Sequence, residues 1–549
     1  MDFLCACLLL FLWFVRPQDI FSVISGVSLV KYLMYGGIIA TFRRPAGLTA
    51  AKVFATPIDW LVTAYCVWAI YVTEDHTTAF KDVFTFFSFH VVTALALNSW
   101  SRIETYLNCW MICLGTLALL AVSTHWGFEL VKGSAELTVG FHNRLTLNTW
   151  IFRNPNALGH GVITVISAGL AWFMMSGSKL RVLGMIMIAL GVHCVLLTES
   201  KGAFLAGAGG LTLLYLFKRP VWFQITMLLS VYGVGIAALK SLPRMNTLSK
   251  DDEGIQGRML VWRQAKGSME STTTGVGLKT FQGFVPIRVA KVHRTVYIPI
   301  ATHGSYVRHG ADLGYIGLML FAGIFYGGAR ILLTARTESG SEAHRAQRTI
   351  YAILTTTAVS CWVVDRAYHM DFYLLSGLLS AFHRRFLSPE KIGEDDEDEQ
   401  EVNEDKATGV MALPASGASA AALSLPSAVA ATAAGPVGAV AATAAEPALA
   451  VSAAAPVNTA AGVVSSGSPS PAAGTAKPKE PPPRPVRRDG LRDEDDDSEE
   501  QKEDPEPDEH GAIRLKWNSI SWVDLVMMYL LMEVLLYYWD LFSTDFIVF

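Results

Sequence analysis

The chain has 549 residues, of which 52% are hydrophobic and 17% charged, and a formal net charge of −4 at pH 7. Apolar runs of roughly 20 residues, the length needed to cross about 30 Å of hydrocarbon, recur along its first 390 positions, so composition excludes a soluble globular domain and identifies a polytopic membrane protein. The net charge points to no partner, nucleic acid included, because the blocks EDDEDEQ and DEDDDSEEQKEDPEPDE supply most of the acid while the rest is mildly basic.

In chain order the apolar runs fall at 3–15, 20–41, 54–72, 80–98, 106–125, 157–177, 182–198, 203–217, 221–240, 312–334, 349–365 and 371–386, with one more at 521–543. The first follows Met1-Asp2 with no basic n-region and no convincing cleavage site, which reads as a retained anchor rather than a signal peptide. The seven cysteines (Cys5, Cys7, Cys66, Cys109, Cys113, Cys194 and Cys361) all lie in apolar runs without a grouped histidine, so neither a disulfide framework nor a zinc site is expected. They read as buried small hydrophobes.

Basic residues gather in alternate connections: Arg43 and Arg44, Arg102, Lys179 and Arg181, Lys218 and Arg219, Arg336 with Arg345 and Arg348, and Arg384 with Arg385. The positive-inside rule makes those connections cytoplasmic and sets the N-terminus inside. The remaining polar stretches then all lie outside: RPQD (16–19), TEDHTTAFKD (73–82), 126–156, TESKG (198–202), the long loop 241–311 and DRAYHMD (365–371). Everything polar enough for chemistry thus shares one face.

Beyond residue 388 the composition changes. Residues 389–518 combine acidic runs with an Ala, Val, Ser, Thr, Gly and Pro tract, a composition with no apolar face to bury, and read as a disordered cytoplasmic tail. Residues 519–549 return to the membrane as a last segment with aromatic residues near its end. The expected domains are therefore a membrane domain over 1–388, the tail, and the final segment.

Within the external loop, GRMLVWRQAKGSM (257–269) carries Met259, Leu260, Trp262 and Ala265 at helical spacing, the pattern of an amphipathic helix at the membrane surface. Its Arg263 and Lys266 read mainly as headgroup anchors. GVGLKTF (275–281) permits a tight turn or a close backbone approach to a ligand, but lacks the flanking strand and helix of a dinucleotide fingerprint. Lys201 sits at a hairpin on the face where basic residues are sparse, so anion binding and an end-anchor are balanced readings. Arg153, just before a helix start at Asn154 or Asn156, is either an anchor or a second cation for the same anion. His303 lies just outside a span with Tyr306, Arg308 and Asp312 following at helical spacing; its unperturbed pKa near 6.5 suits it to take a proton from a hydroxyl.

These motifs resemble, in order and spacing, the O-antigen ligase and polymerase superfamily. The residues that carry the likeness are RNPN, TESKG, GRMLVW with the following GVGLKTF, and HGSYVRHGADLGYIGL, preceded by RPQD. It covers about residues 1–386 and implies a GT-C-type all-α bundle of about 12 spans plus the C-terminal one, with a long external loop and a disordered cytoplasmic tail. It further implies a metal-independent, inverting transfer, without cofactor, from an undecaprenyl-diphosphate-linked oligosaccharide donor to a glycan acceptor, in the lipid bilayer of a bacterial inner membrane with the site facing the periplasm, beside other polysaccharide assembly proteins. The family's HN-x-Y-L and E-x-G patterns fall on His303, Tyr306, Asp312 and Gly314; its SRG arginine falls on Lys201 and its GR-x-x-x-W arginine on Arg258. The resemblance implies that His303 activates the acceptor hydroxyl, Asp312 orients or charges the site, and Lys201 and Arg258 bind the donor diphosphate, with Arg153, Arg308 and Tyr306 as further substrate-binding candidates. Three positions depart from the pattern: Gly304 replaces Asn, Asp312 replaces Glu, and Lys201 replaces Arg, which keeps a cation but loses bidentate geometry toward phosphate.

The leading expectation is a glycosyltransferase that polymerises surface-polysaccharide repeat units. Ligation of a finished polymer to a lipid A core and O-glycosylation of a protein use the same donor. A transporter of lipid-linked oligosaccharide would call for ionisable residues at mid-membrane and an internal repeat; His90 and His193 lie within spans, but no repeat is seen.

Overall fold

A computed structural model describes residues 1–43, 53–131, 144–149, 151–173, 178–217, 253–289, 294–387 and 519–544, with single positions at 219, 220, 222, 223, 226, 229, 510, 512, 513 and 517. Most of the run 221–240 and nearly all of the tail 389–518 therefore lie outside the described residues. Each of the other predicted runs falls on a helix: α1 (Asp2–Phe14), α2 (Leu29–Phe42), α3 (Pro57–Tyr71), α4 (His76–Ala96), α5 (Trp100–His125), α6 (Pro155–Phe173), α7 (Ser178–Thr198), α8 (Lys201–Leu216), α10 (Ser305–Thr334), α11 (Glu342–Val363), α12 (Met370–Arg384) and α13 (Trp522–Thr544). The 241–311 loop adds α9 (Glu253–Thr272). Five of these helices are long and apolar enough to cross a membrane, and α1, α2 and α8 are shorter apolar helices.

Three expectations need correction. The run 20–41 opens with short helical pieces, Pro17–Ile20 and Ser22–Ile24, before the regular helix begins at Leu29. The fold is not all-α: in the 241–311 loop β1 (Gly283–Val289) pairs antiparallel with β2 (Arg294–Ile300). Alternating β-branched residues favour the ribbon, and Pro286 and Pro299 are tolerated because both strands are edges. The far end of the tail is also held, since β4 (Ala512–Ile513) pairs with β3 (Arg336–Thr337) just after α10.

Local signals fix several starts. Thr56 and Asp59 form a reciprocal capping box ahead of α3, and Ser99, Ser200 and Ser341 cap α5, α8 and α11 by accepting a backbone N–H three residues on. α12 is buried along nearly its whole length, so its modest hydropathy suffices; α7 and α13 instead keep rows of exposed apolar side chains, as lipid-facing helices do.

Ion pairs sort the connections into two ends. Arg102 with Asp2 (3.8 Å), Arg345 with Glu104 (3.3 Å) and Arg384 with Asp59 (2.8 Å) lie at the end rich in basic residues. At the other end Lys279 pairs with Asp82 (2.8 Å), the Leu278 N–H donates to Thr73 Oγ1 (2.9 Å) and Arg144 donates to the Thr198 carbonyl (2.8 Å). The connections that charge alone assigned to one face are the ones that meet. His90 belongs to the first group: its Nε2 donates to Asp59 (2.9 Å) and Nδ1 contacts Ser376 (2.9 Å), a closed buried network tying α3, α4 and α12.

Candidate active site

The second end is organised by a break in α10. Gly314 has φ +67° inside an otherwise continuous helix, and a Cβ there would lie 2.1 Å from the Thr273 carbonyl oxygen. The Gly-Val-Gly loop fits into this break. Gly275 and Gly277 both have positive φ, a Cβ on Gly275 would lie 2.4 Å from the Asp312 carbonyl oxygen, and the loop repairs the interrupted backbone: Val276 N–H donates to Ala311 (3.1 Å), Gly277 to Asp312 (2.8 Å) and Tyr315 back to Thr273 (3.2 Å). The close approach that these glycines permit is made to the protein's own helix.

Asp312 is fully buried directly before the break. Its Oδ1 accepts from the Phe281 N–H (2.6 Å), and its Oδ2 accepts from Arg308 Nε (2.6 Å) and from the Tyr368 hydroxyl (2.6 Å). One carboxylate therefore joins the 275–281 loop, the first turns of α10 and the 365–371 loop. Charge-assisted bonds of this kind are the stronger ones, and they make Asp312 an organiser of the site.

His303 sits in the turn between β2 and α10 with φ +52°, a left-handed conformation that costs a non-glycine residue about 1–3 kcal/mol. The backbone around it is pinned from both sides. The Thr302 carbonyl accepts from Trp262 Nε1 (2.6 Å), and the Thr302 hydroxyl donates to Asp365 (3.0 Å). Ser305 donates to the Val364 carbonyl and accepts from the Arg366 N–H, each at 2.9 Å. Burial, reinforced by the Arg258 guanidinium, holds the His303 imidazole down at about 4, so it is uncharged at neutral pH. Burial pushes the Asp365 carboxyl above its usual range, against the pull of Arg308.

The other candidates are placed as follows. Arg258 is half-buried on α9, within electrostatic reach of both His303 and His160. Lys201 is the half-buried first residue of α8; the next residue, Gly202, is packed so closely that a Cβ would lie 2.8 Å from His160 Nε2. His160 and His303 thus share Arg258 as an electrostatic neighbour, and Lys201 starts the helix whose second residue packs on His160. Arg153 is exposed just before α6. Arg308 is engaged with Asp312, and Tyr306 is turned into the core, its hydroxyl donating to the Ala358 carbonyl (3.1 Å) and its ring packed on Trp362 and Phe321. Gly304 explains one departure from the family pattern: a Cβ there would lie 3.2 Å from the Trp362 carbonyl and 3.3 Å from the Trp262 ring, which leaves little room for asparagine.

The 365–371 loop supplies groups that stand in the sequence only as a polar turn. Arg366 pairs with Asp371 (2.8 Å) and donates to the His160 carbonyl (3.3 Å). His369, held down at about 4 by burial and by Arg366, sits edge-on to Trp13 (5.9 Å). His160, Ser360, Arg366 and Asp371 line a cavity of about 20 Å³, enough for one water. The available signal was a charged turn between two apolar runs; nothing local says that it folds against α6 and α10.

Helices of this length and apolarity, with a polar site built from loops at one end of the bundle, define an integral membrane protein. Residues 184–322 match a protein-family model described as O-antigen ligase. The resemblance to the O-antigen ligase and polymerase superfamily is therefore shown, carried by a stretch that includes Lys201, Arg258, His303, Tyr306, Arg308 and Asp312; Arg153 and the 365–371 loop lie outside it. No curated protein matches the chain.

Proposed function

We propose that the protein is a membrane glycosyltransferase that moves a glycan from an undecaprenyl-diphosphate-type carrier to a glycan acceptor on the periplasmic face of a bacterial inner membrane, polymerising repeat units of a surface polysaccharide. The observation that carries the reading is an uncharged, backbone-pinned His303 beside Arg258, inside the segment that matches the family. His303 Nε2 or Nδ1 takes the acceptor hydroxyl proton as that oxygen attacks the anomeric carbon from the face opposite the diphosphate. The bond to the diphosphate breaks, and Lys201 and Arg258 stabilise the departing charge, with Arg153 and Arg308 as further candidates for the same role.

An imidazole held at about 4 is a weak base in the free protein. The anionic donor relieves the smaller of the two causes: a diphosphate set against Arg258 offsets the positive charge that adds to burial in depressing His303, and so raises its proton affinity only once the donor is bound. Asp312 fixes the helix start on which His303 depends. Tyr306, buried with its hydroxyl engaged, contributes shape to the site rather than a direct bond to the sugar.

The family description favours a second reading, attachment of a finished polymer to its lipid acceptor. One experiment separates the two and tests the site. A deletion strain is complemented with wild type or His303→Ala, and lipid-linked and surface glycans are compared. Lost polymerisation leaves single repeat units, whereas lost ligation leaves long chains on the carrier. Normal glycans from the His303→Ala protein would remove that residue from the mechanism.

A further inference from the structure

The C-terminal helix α13 follows the long tail and could be taken for a lipid anchor. An anchor needs only apolar surface; α13 is clasped by polar contacts at both ends. At one end Asp524 accepts from Tyr326 (3.0 Å), Trp517 Nε1 (3.2 Å) and the Ser521 N–H (2.8 Å) and pairs with Arg330. Trp517 itself lies between the Arg330 guanidinium (4.4 Å) and the stacked His383 ring (5.7 Å). At the other end Lys266 of α9 pairs with Asp540, Arg263 donates to the Ser543 carbonyl (2.7 Å), and Trp539 Nε1 donates to the Trp262 carbonyl (3.1 Å). Between them, Met528 and Trp539 seat against Gly323 and Gly310 of α10, where a Cβ would lie 2.4 and 2.7 Å away.

The outer clasp leads directly to the site. Trp262 receives Trp539 through its carbonyl, and its own indole N–H holds the carbonyl of Thr302, the residue before His303. We propose that α13 is a positioning element for the transfer: it clamps α9, and through Trp262 it sets the backbone that presents His303 and the helix that carries Arg258. This rests on the glycosyltransferase reading above for its consequence, though not for the clamp. The far end of the chain thereby becomes part of the site's architecture, and a misplacement of the order of 1 Å at a reacting group can cost about a hundredfold in rate.

The test exchanges charge across the outer clasp in the full-length protein, using Lys266→Glu, Asp540→Lys and the double variant, neither residue being a catalytic candidate. The purified proteins in nanodiscs are treated with trypsin, and cleavage after Arg258 and Arg263 is followed by mass spectrometry; the same variants complement the deletion strain. Either single change is expected to raise the cleavage rate and to lower surface polysaccharide by about tenfold each, and the exchange to restore both to within about threefold, as a direct pairwise coupling requires. Equal cleavage in all four proteins would overturn the clamp. Cleavage that responds while polysaccharide does not would overturn the positioning role. A wild type no better than empty vector would overturn the glycosyltransferase reading, with cleavage still deciding the clamp.

Discussion

The Tyr368 hydroxyl donates to the Asp312 carboxylate at 2.6 Å, across 56 residues of sequence. The bond joins the loop between α11 and α12 to the break in α10, and Arg308 and the Phe281 N–H complete the coordination of the same carboxylate. Tyr368→Phe removes one donor and leaves the other two, so it should cost about 1–2 kcal/mol. Asp312→Ala removes the hub and strands Arg308, which should cost about 2–4 kcal/mol, below the full cost of a buried pair because the Arg308 side chain keeps 16% of its surface exposed. Thermal unfolding in detergent, followed by tryptophan fluorescence, ranks the two; equal stability of Asp312→Ala and wild type would remove Asp312 as organiser.

The pH dependence of the reaction should bear the mark of Arg258. His303 is held down at about 4, so its neutral form persists as pH falls and the acid limb of kcat/KM, which reports the free enzyme, should lie near pH 4. Removing the Arg258 charge relieves the smaller of the two depressing causes. Arg258→Gln should therefore move the limb upward toward the ordinary histidine value while lowering the rate. A downward or absent shift would separate the two residues.

Backbone strain at His303 distinguishes its conformation from its chemistry. Asparagine tolerates the left-handed region and valine does not. His303→Asn should match wild type in stability within about 1 kcal/mol, and His303→Val should fall about 1–2 kcal/mol below it. Both should lose transfer equally, because neither side chain can accept the proton. Retained glycan synthesis by either variant would contradict a role for the imidazole.

Gly275 and Gly314 face each other across a contact with no room for a methyl group, each meeting backbone at 2.1–2.4 Å and each at positive φ. Alanine at either position should cost more than about 2 kcal/mol and reduce the folded yield recovered by size-exclusion chromatography. Gly267, with nothing within 4 Å of its Cβ direction, should accept alanine without loss.

What the sequence by itself determined was the helices and the face. Hydropathy located nearly every helix because a membrane-length apolar run has few alternatives to helix, and the alternation of Arg and Lys grouped the connections that meet at each end because charge resists burial in hydrocarbon. The stretch from Lys201 to Asp312 was legible through its motifs. The tertiary structure alone decided which of those residues face the site and which hold it. Tyr306 and Asp312 follow His303 at helical spacing, yet one is packed into the core and the other binds three donors from three segments. The 365–371 loop, the seat of the Gly-Val-Gly turn in a broken helix and the clasp of α13 on α9 are contacts between residues from about 30 to more than 270 positions apart. Their partners are set by how helices pack, and no local pattern of residues encodes that.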